Sequence, residues 1–192
     1  MADCKQKNNK KRLAFIVNVD WFFISHRLPL ALHALAEGWE VFLLTKNSGR
    51  KQELESLGIH VYDVPFGRTS LNPILELKCV MTITSIIKQI NPDVIHNVTW
   101  KGCLLGGIAA KMARCKSVVN ALSGLGSVFI NKGLVNKIME LLAKIAFKDD
   151  YAAFIFQNPD DIEWFKTLGY ASEDRIFLIR GSGIDLQKYA YK

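Results

Sequence analysis

The strongest constraint on how this chain can fold is an alternation that runs from end to end. Short apolar or β-branched runs are separated by longer segments with helical spacing. Leu13–Val19 is an apolar-rich run, the mark of a strand buried on both faces. His26–Gly38 then places apolar residues at Leu28, Leu32, Leu35 and Ala36, which predicts an amphipathic helix closed by Gly38. Glu40–Thr45 reads as a strand, Lys51–Leu57 as a short helix stopped by Gly58, and Ile59–Val64 as a strand ended by Pro65. After a loop at 66–72 come a long helix, Pro73–Ile90, a short strand, Val94–His96, and a small-residue helix, Gly102–Arg114. Strand Ser117–Ala121, helix Leu134–Lys148, strand Ala153–Gln157, and the segments Pro159–Leu168 and Arg175–Ile179 complete the series. Strand and helix repeated this often predict an α/β fold: a doubly wound, mainly parallel Rossmann-like sheet flanked by helices.

At 192 residues the chain is long enough for one well-filled core. The expected organisation is a basic tail over 1–12, a Rossmann-like domain over 13–180, and a hinge over 181–192 leading towards a further domain. The net charge of +7 is uneven: Lys5, Lys7, Lys10, Lys11 and Arg12 against Asp3 put +4 in the tail and leave +3 elsewhere. A basic balance confined to a tail does not indicate a nucleic-acid partner. The seven residues Leu13–Val19 are too short for a signal-peptide core, and no run of roughly 18 apolar residues occurs anywhere. Cys4, Cys79, Cys103 and Cys115 form no CxxC pair and do not cluster with histidines, so no metal site is expected. They read as reduced thiols of a cytoplasmic protein.

In such sheets ligands sit beyond the carboxyl ends of the strands. The segments to inspect are therefore Asp20–Arg27, Gly67–Asn72, Asn97–Lys101, Leu122–Asn131 and Asn158–Asp161, with Gly181–Asp185 at the exit. The first has no glycine, so the backbone cannot approach a pyrophosphate as a GxGxxG turn does, which argues against an NAD-linked oxidoreductase. It offers Asp20, Ser25, His26 and Arg27 beside Trp21, Phe22 and Phe23. Aromatic faces with polar neighbours suit sugar rings, although the same aromatics could cap the core and His26 could simply start a helix. His96, Thr99 and Lys101 bring a titratable base, a hydroxyl and a cation to one strand end. A histidine there can equally be structural, and Lys101 at a helix start could reinforce an anion site. Ser123, Gly124, Gly126 and Ser127 make a donor-rich loop whose amides could face a phosphate, or a plain surface loop. The helix at 134–148, with Lys137, Lys144 and Lys148 beside its apolar positions, could lie on an anionic membrane or pack on the sheet with snorkelling lysines.

Four segments, NVDWFFISHRLPLAL, HNVTWKGCLLGGIAAKMA, VVNALSGLGSVF and FQNPDDIEWF…RIFLIRGSGIDL, resemble in order and spacing the N-terminal domain of family 4 GT-B glycosyltransferases. The likeness runs over residues 12–188 and is closest to enzymes of capsule, O-antigen and undecaprenyl-diphosphate-linked glycan assembly. It implies the acceptor-side half of a retaining bacterial enzyme that takes a sugar from a nucleotide-sugar donor without a metal or other cofactor. The acceptor implied is a lipid-diphosphate-linked saccharide, reached in the cytoplasm or peripherally at the inner face of the membrane. Carried over by position, His96 and Lys101 are the catalytic candidates. Asp20, Trp21, Ser25, His26, Arg27, Thr99, Ser123, Gly124 and Gly126 are the substrate-binding candidates, with Gly181, Ser182, Gly183 and Asp185 as the hinge. The family's donor-binding half, with two glutamates eight positions apart, has no counterpart, because no two glutamates here have that spacing. The expectation is an acceptor-binding half that is inactive alone and completed by a C-terminal donor domain or a partner chain. The alternatives are a non-catalytic acceptor-recruiting subunit and a fragment of a sugar-nucleotide epimerase.

Overall fold

The structure, a computed structural model, describes residues 10–67, 72–124, 134–148, 151–181 and 183. Their strands are β1 (Arg12–Val17), β2 (Glu40–Thr45), β3 (Ile59–Asp63), β4 (Val94–Val98), β5 (Val118–Leu122), β6 (Ala152–Phe156) and β7 (Ile176–Leu178). Their helices are α1 (Asp20–His26), α2 (Leu28–Ala36), α3 (Lys51–Ser56), α4 (Pro73–Ile90), α5 (Trp100–Met112), α6 (Leu134–Phe147) and α7 (Pro159–Thr167). All seven strands are parallel, in the order β3-β2-β1-β4-β5-β6-β7. The chain winds outwards from β1 to β3, returns to place β4 beside β1, and then winds the other way. The expected doubly wound α/β sheet is the observed one.

Period-two alternation in the strands feeds two separate cores. Ala14 and Ile16 of β1 pack towards α4, α5 and α6, while Phe15 and Val17 pack towards α1, α2 and α3. The long helix α4 starts where Asn72 accepts the Ile74 N–H at 3.0 Å with Pro73 in the first turn, and it ends at Asn91 in the left-handed conformation (φ 44°). The small residues of α5 let it sink against the sheet. A Cβ on Gly102 would lie 2.9 Å from the Ile16 carbonyl oxygen, and one on Gly106 would overlap the Asn97 amide. Beneath α5 the buried Asn97 donates to Asn120 at 2.8 Å, a polar pair that pins β4 to β5.

Right-handed crossovers put α1–α3 on one face and α4–α7 on the other. Phe165 of α7 packs on Phe154 and Phe156, on the side of α4–α6. Hence, among the described residues, no helix lies over β5, β6 and β7 on the α1–α3 side. Val119, Ala153 and Ile155 are only half-buried there, and Phe177 and Ile179 are exposed.

Several boundaries differ from those the sequence predicts. Arg12, expected in the tail, opens β1: its Nε pairs with Glu40 at 2.9 Å and its guanidinium donates to the Ile90 carbonyl. Residues 20–26, expected as a loop, form α1, and the following helix starts at Leu28 rather than His26. The fourth strand continues to Val98, which moves His96 from a strand end to a position two residues inside it.

Candidate functional site

The α1–α2 corner, the carboxyl halves of β4–β6 and the exit from β7 enclose a cleft of about 210 Å³. His26, Arg27, His96, Gln157 and Gly181 supply its polar groups, and Pro29, Leu30, Leu122, Ile155 and Ile179 supply apolar wall. It exists because the uncovered half of the sheet meets the edge of α1 and α2, close to where the strand order reverses, the ordinary place for a ligand in an open α/β sheet.

His96 is the buried base of the cleft, 8% exposed. Its ring lies 5.3 Å from Phe15, and its Nε2 has no hydrogen-bond partner. Burial, reinforced by the Arg27 guanidinium, lowers its pKa to about 3. At physiological pH the ring is therefore neutral, one nitrogen able to donate and the other to accept. Arg27 sits at the α1–α2 junction and donates to the His26 carbonyl at 2.9 Å. Burial lowers its pKa from the usual guanidinium value. His26 stacks flat on Phe22, with centroids 4.0 Å apart and planes within 4°. Its Nδ1 lies 2.6 Å from the Ser25 hydroxyl and 3.2 Å from the Phe22 carbonyl. Trp21, exposed, meets Phe22 edge-on at 5.9 Å. The file Trp21–Phe22–His26 therefore leads along α1 towards the cleft, whereas Phe23 is core.

The remaining expected residues lie elsewhere or do other work. Asp20 is buried under the loop after β2, accepting from the Ser48 N–H at 2.6 Å, the Ser48 hydroxyl, the Trp21 N–H and the Arg50 N–H. Burial opposes its ionisation, but these donors outweigh it and hold the carboxyl below the ordinary carboxylate value. Lys101 does not join His96 over one crevice. Its Nζ reaches away to Glu76 of α4 at 2.6 Å and to the Gly67 carbonyl at 2.9 Å, because a side chain from the first turn of α5 crosses the α4–α5 seam. Thr99 caps α5, accepting from the Gly102 N–H at 3.3 Å, in a left-handed backbone conformation (φ 68°) rare for a β-branched residue. Ser123 and Gly124 follow β5, with Gly124 at φ 79°. Gly181 and Gly183 share φ 77°, and Gly181 lines the cleft. Gly126, Ser182 and Asp185 lie outside the described residues.

Sequence reasoning missed Gln157, Leu30 and Ile179 as cleft walls. Gln157 carried a legible signal, a polar residue directly after an apolar strand and before an Asn-Pro helix start. Leu30 and Ile179 carried none. Among the described residues no group of three or more histidines, cysteines or acids is placed to hold a metal ion.

Residues 12–158 match the family described as glycosyl transferase 4-like. The chain is 31% identical over 182 residues to the Campylobacter jejuni N,N'-diacetylbacillosaminyl-diphospho-undecaprenol alpha-1,3-N-acetylgalactosaminyltransferase, covering 93% of this chain and 48% of that protein. It is 25% identical over 154 residues to the Escherichia coli UDP-Gal:alpha-D-GlcNAc-diphosphoundecaprenol alpha-1,3-galactosyltransferase, covering 80% of this chain and 39% of the other. The sucrose-phosphate synthase of Thermosynechococcus elongatus shares the fold, with a TM-score of 0.64 at 13% identity over 93% of this chain and 49% of that one. The chain thus spans about half the length, or less, of the relatives it matches. On the family match and the first of these identities, the chain belongs to the glycosyl transferase 4-like family.

Proposed function

We propose that this chain is the acceptor-binding half of a retaining glycosyltransferase that moves a sugar from a nucleotide sugar onto a lipid-diphosphate-linked saccharide in surface polysaccharide assembly. The observation that carries the proposal is the cleft that combines a half-buried cation, Arg27, with a neutral buried imidazole, His96, at the His26 end of an aromatic file on α1. Arg27 offers charge-assisted donors to a phosphate of the acceptor, and the aromatic rings offer stacking faces to its sugar. His96 Nε2, in a low-dielectric wall, gains a partner when a sugar hydroxyl enters. The relatives' names, which specify diphospho-undecaprenol acceptors, support the same class of substrate. In this reading the nucleotide sugar is a substrate rather than a cofactor, and no metal takes part. Donor binding belongs to a second domain or a partner chain, since the glutamate pair of the family's donor half has no counterpart in this sequence. The work takes place at the cytoplasmic surface of a membrane; no helix among the described residues is long and apolar enough to cross one.

The test is direct binding. Calorimetry with a short-chain, water-soluble lipid diphosphate carrying one N-acetylhexosamine is expected to show saturable binding. Arg27→Gln should weaken it by one to two orders of magnitude, on the order of the 1.5–3 kcal/mol a charge-assisted hydrogen bond is worth. His96→Gln should weaken it less, and the isolated chain should transfer no sugar. Equal affinity of wild type and Arg27→Gln would remove the acceptor assignment from this cleft.

A further inference from the structure

Helix α1 ends in a small hydrogen-bonded array whose last member, His26, lines the cleft. Ser25 Oγ donates to the Phe22 carbonyl at 3.1 Å and lies 2.6 Å from His26 Nδ1, and Nδ1 lies 3.2 Å from the same carbonyl. A hydroxyl has one proton to donate, so with the carbonyl as its acceptor Ser25 accepts from the ring. Nδ1 therefore faces two acceptors, the carbonyl and the hydroxyl oxygen, and must carry the ring proton. Flat stacking on Phe22, with centroids 4.0 Å apart, fixes the plane of the ring. A neutral imidazole held in this way has its lone pair on Nε2. Both hydrogen bonds of the ring are made by Nδ1, which leaves Nε2 for a ligand.

Arg27, next in sequence and lining the same cleft, offers only donors, whereas His26 Nε2 offers only a lone pair. The two residues make opposite demands side by side. An anion satisfies the guanidinium, but a second anionic oxygen would be repelled by Nε2, which is satisfied by a hydroxyl. A sugar joined to a phosphate has this pattern, hydroxyls next to anionic oxygens. We propose that His26 recognises the sugar of the acceptor, Nε2 accepting a hydrogen bond from a sugar hydroxyl while Arg27 holds the adjoining phosphate. Ser25 is the positioning residue that keeps Nε2 unprotonated. The identity of the ligand rests on the acceptor reading above, while the tautomer does not.

Long-range proton–nitrogen correlation spectra of the full chain at about pH 8, where an imidazole is ordinarily neutral, read the tautomer directly. The ring signals missing from His26→Gln identify those of His26 among the four histidines. Wild type should show Nδ1 protonated and Nε2 bare, and Ser25→Ala a mixture of the two tautomers. Calorimetry then compares the short-chain lipid diphosphate carrying one N-acetylhexosamine with the same lipid diphosphate lacking the sugar. His26→Gln, whose amide reaches about as far as Nε2, should bind the sugar-bearing ligand within about twofold of wild type. His26→Asn, whose amide reaches only as far as Nδ1, should bind it about fivefold more weakly, the worth of one neutral hydrogen bond. Ser25→Ala should fall between them. Neither His26 substitution should alter binding of the bare lipid diphosphate, whereas a merely structural role would weaken both ligands alike. An Nε2-protonated ring in wild type, equal affinity of His26→Gln and His26→Asn, or an equal loss on both ligands overturns the proposal. A wild-type chain that binds neither ligand overturns the acceptor reading, and with it the ligand named here, while the spectra still decide the tautomer.

Discussion

Two residues show how a side chain's chemistry and its position can point to different roles. The buried carboxylate of Asp20 collects donors from residues 21, 48 and 50, joining the first two crossover loops above β1 and β2. Asp20→Ala is expected to cost about 1–3 kcal/mol in urea unfolding at neutral pH, because the loop donors lose a charged partner. Its pKa in the folded chain is lowered, so its contribution is full above the unfolded value of about 3.9 and disappears as pH falls through the folded value. Asp20→Asn should therefore flatten the acid limb of stability below about pH 4; an unchanged limb would show that the carboxylate is not held as described. Lys101 is the second case. At the start of α5 its charge would be unfavourable alone, but Glu76 supplies the anion from within the chain, and both side chains are about three-quarters buried (24% and 20% exposed). Lys101→Ala should lower stability by about 1–2 kcal/mol, between the values for exposed and buried pairs. Acceptor affinity per folded molecule should be unchanged. A variant of full stability with lost acceptor binding would return Lys101 to the site.

At the scale of elements, α5 shows why a glycine-rich helix is stable here. Gly102, Gly106 and Gly107 lower its intrinsic propensity, yet the first two admit the sheet so closely that a single methyl group would collide, and Gly107 lets Ala146 of α6 approach to a tight contact. Gly106→Ala should cost about 1–3 kcal/mol by overpacking against Asn97. Because the strain has one named source, Asn97→Ala should absorb part of it. The double variant should be more stable than the sum of the singles by at least about 0.5 kcal/mol in chemical unfolding. Strict additivity would mean that backbone shifts, not the Asn97 side chain, take up the methyl group. The small-residue composition of this helix was visible in the sequence, but the reason for it was not. Asn97 and Asn120 are 23 residues apart and meet only through the pairing of β4 with β5. Helix α1 was missed for a related reason: three consecutive aromatics at 21–23 carry no helical period, and the helix follows from Asp20 anchoring its start and Phe23 entering the core.

For the whole molecule, the sheet order predicts a gradient of stability. Strands β1 and β4 lie inside with side chains buried on both faces, whereas β7 is a three-residue edge strand with Phe177 and Leu178 exposed and no described helix on one side. Amides of β7 should exchange with deuterium at least about a hundredfold faster than those of β1, corresponding to opening easier by about 3 kcal/mol. Uniform protection would mean that more covers β7 than the described residues show. The same architecture divides what the sequence determined from what tertiary structure decided. Local spacing specified nearly every strand and helix, because apolar period and the Gly, Pro and Asn stops act within a few residues. Parallel winding followed from their alternation, and the carboxyl-end rule then named His26, Arg27, His96 and Gly181 as candidates. Their meeting in one cleft, the diversion of Lys101 to Glu76, and the burial that keeps His96 neutral were decided by crossovers that bring distant strands side by side. Charge, burial and partner are properties of a neighbourhood, and in a parallel sheet most of a residue's neighbours are far away in sequence.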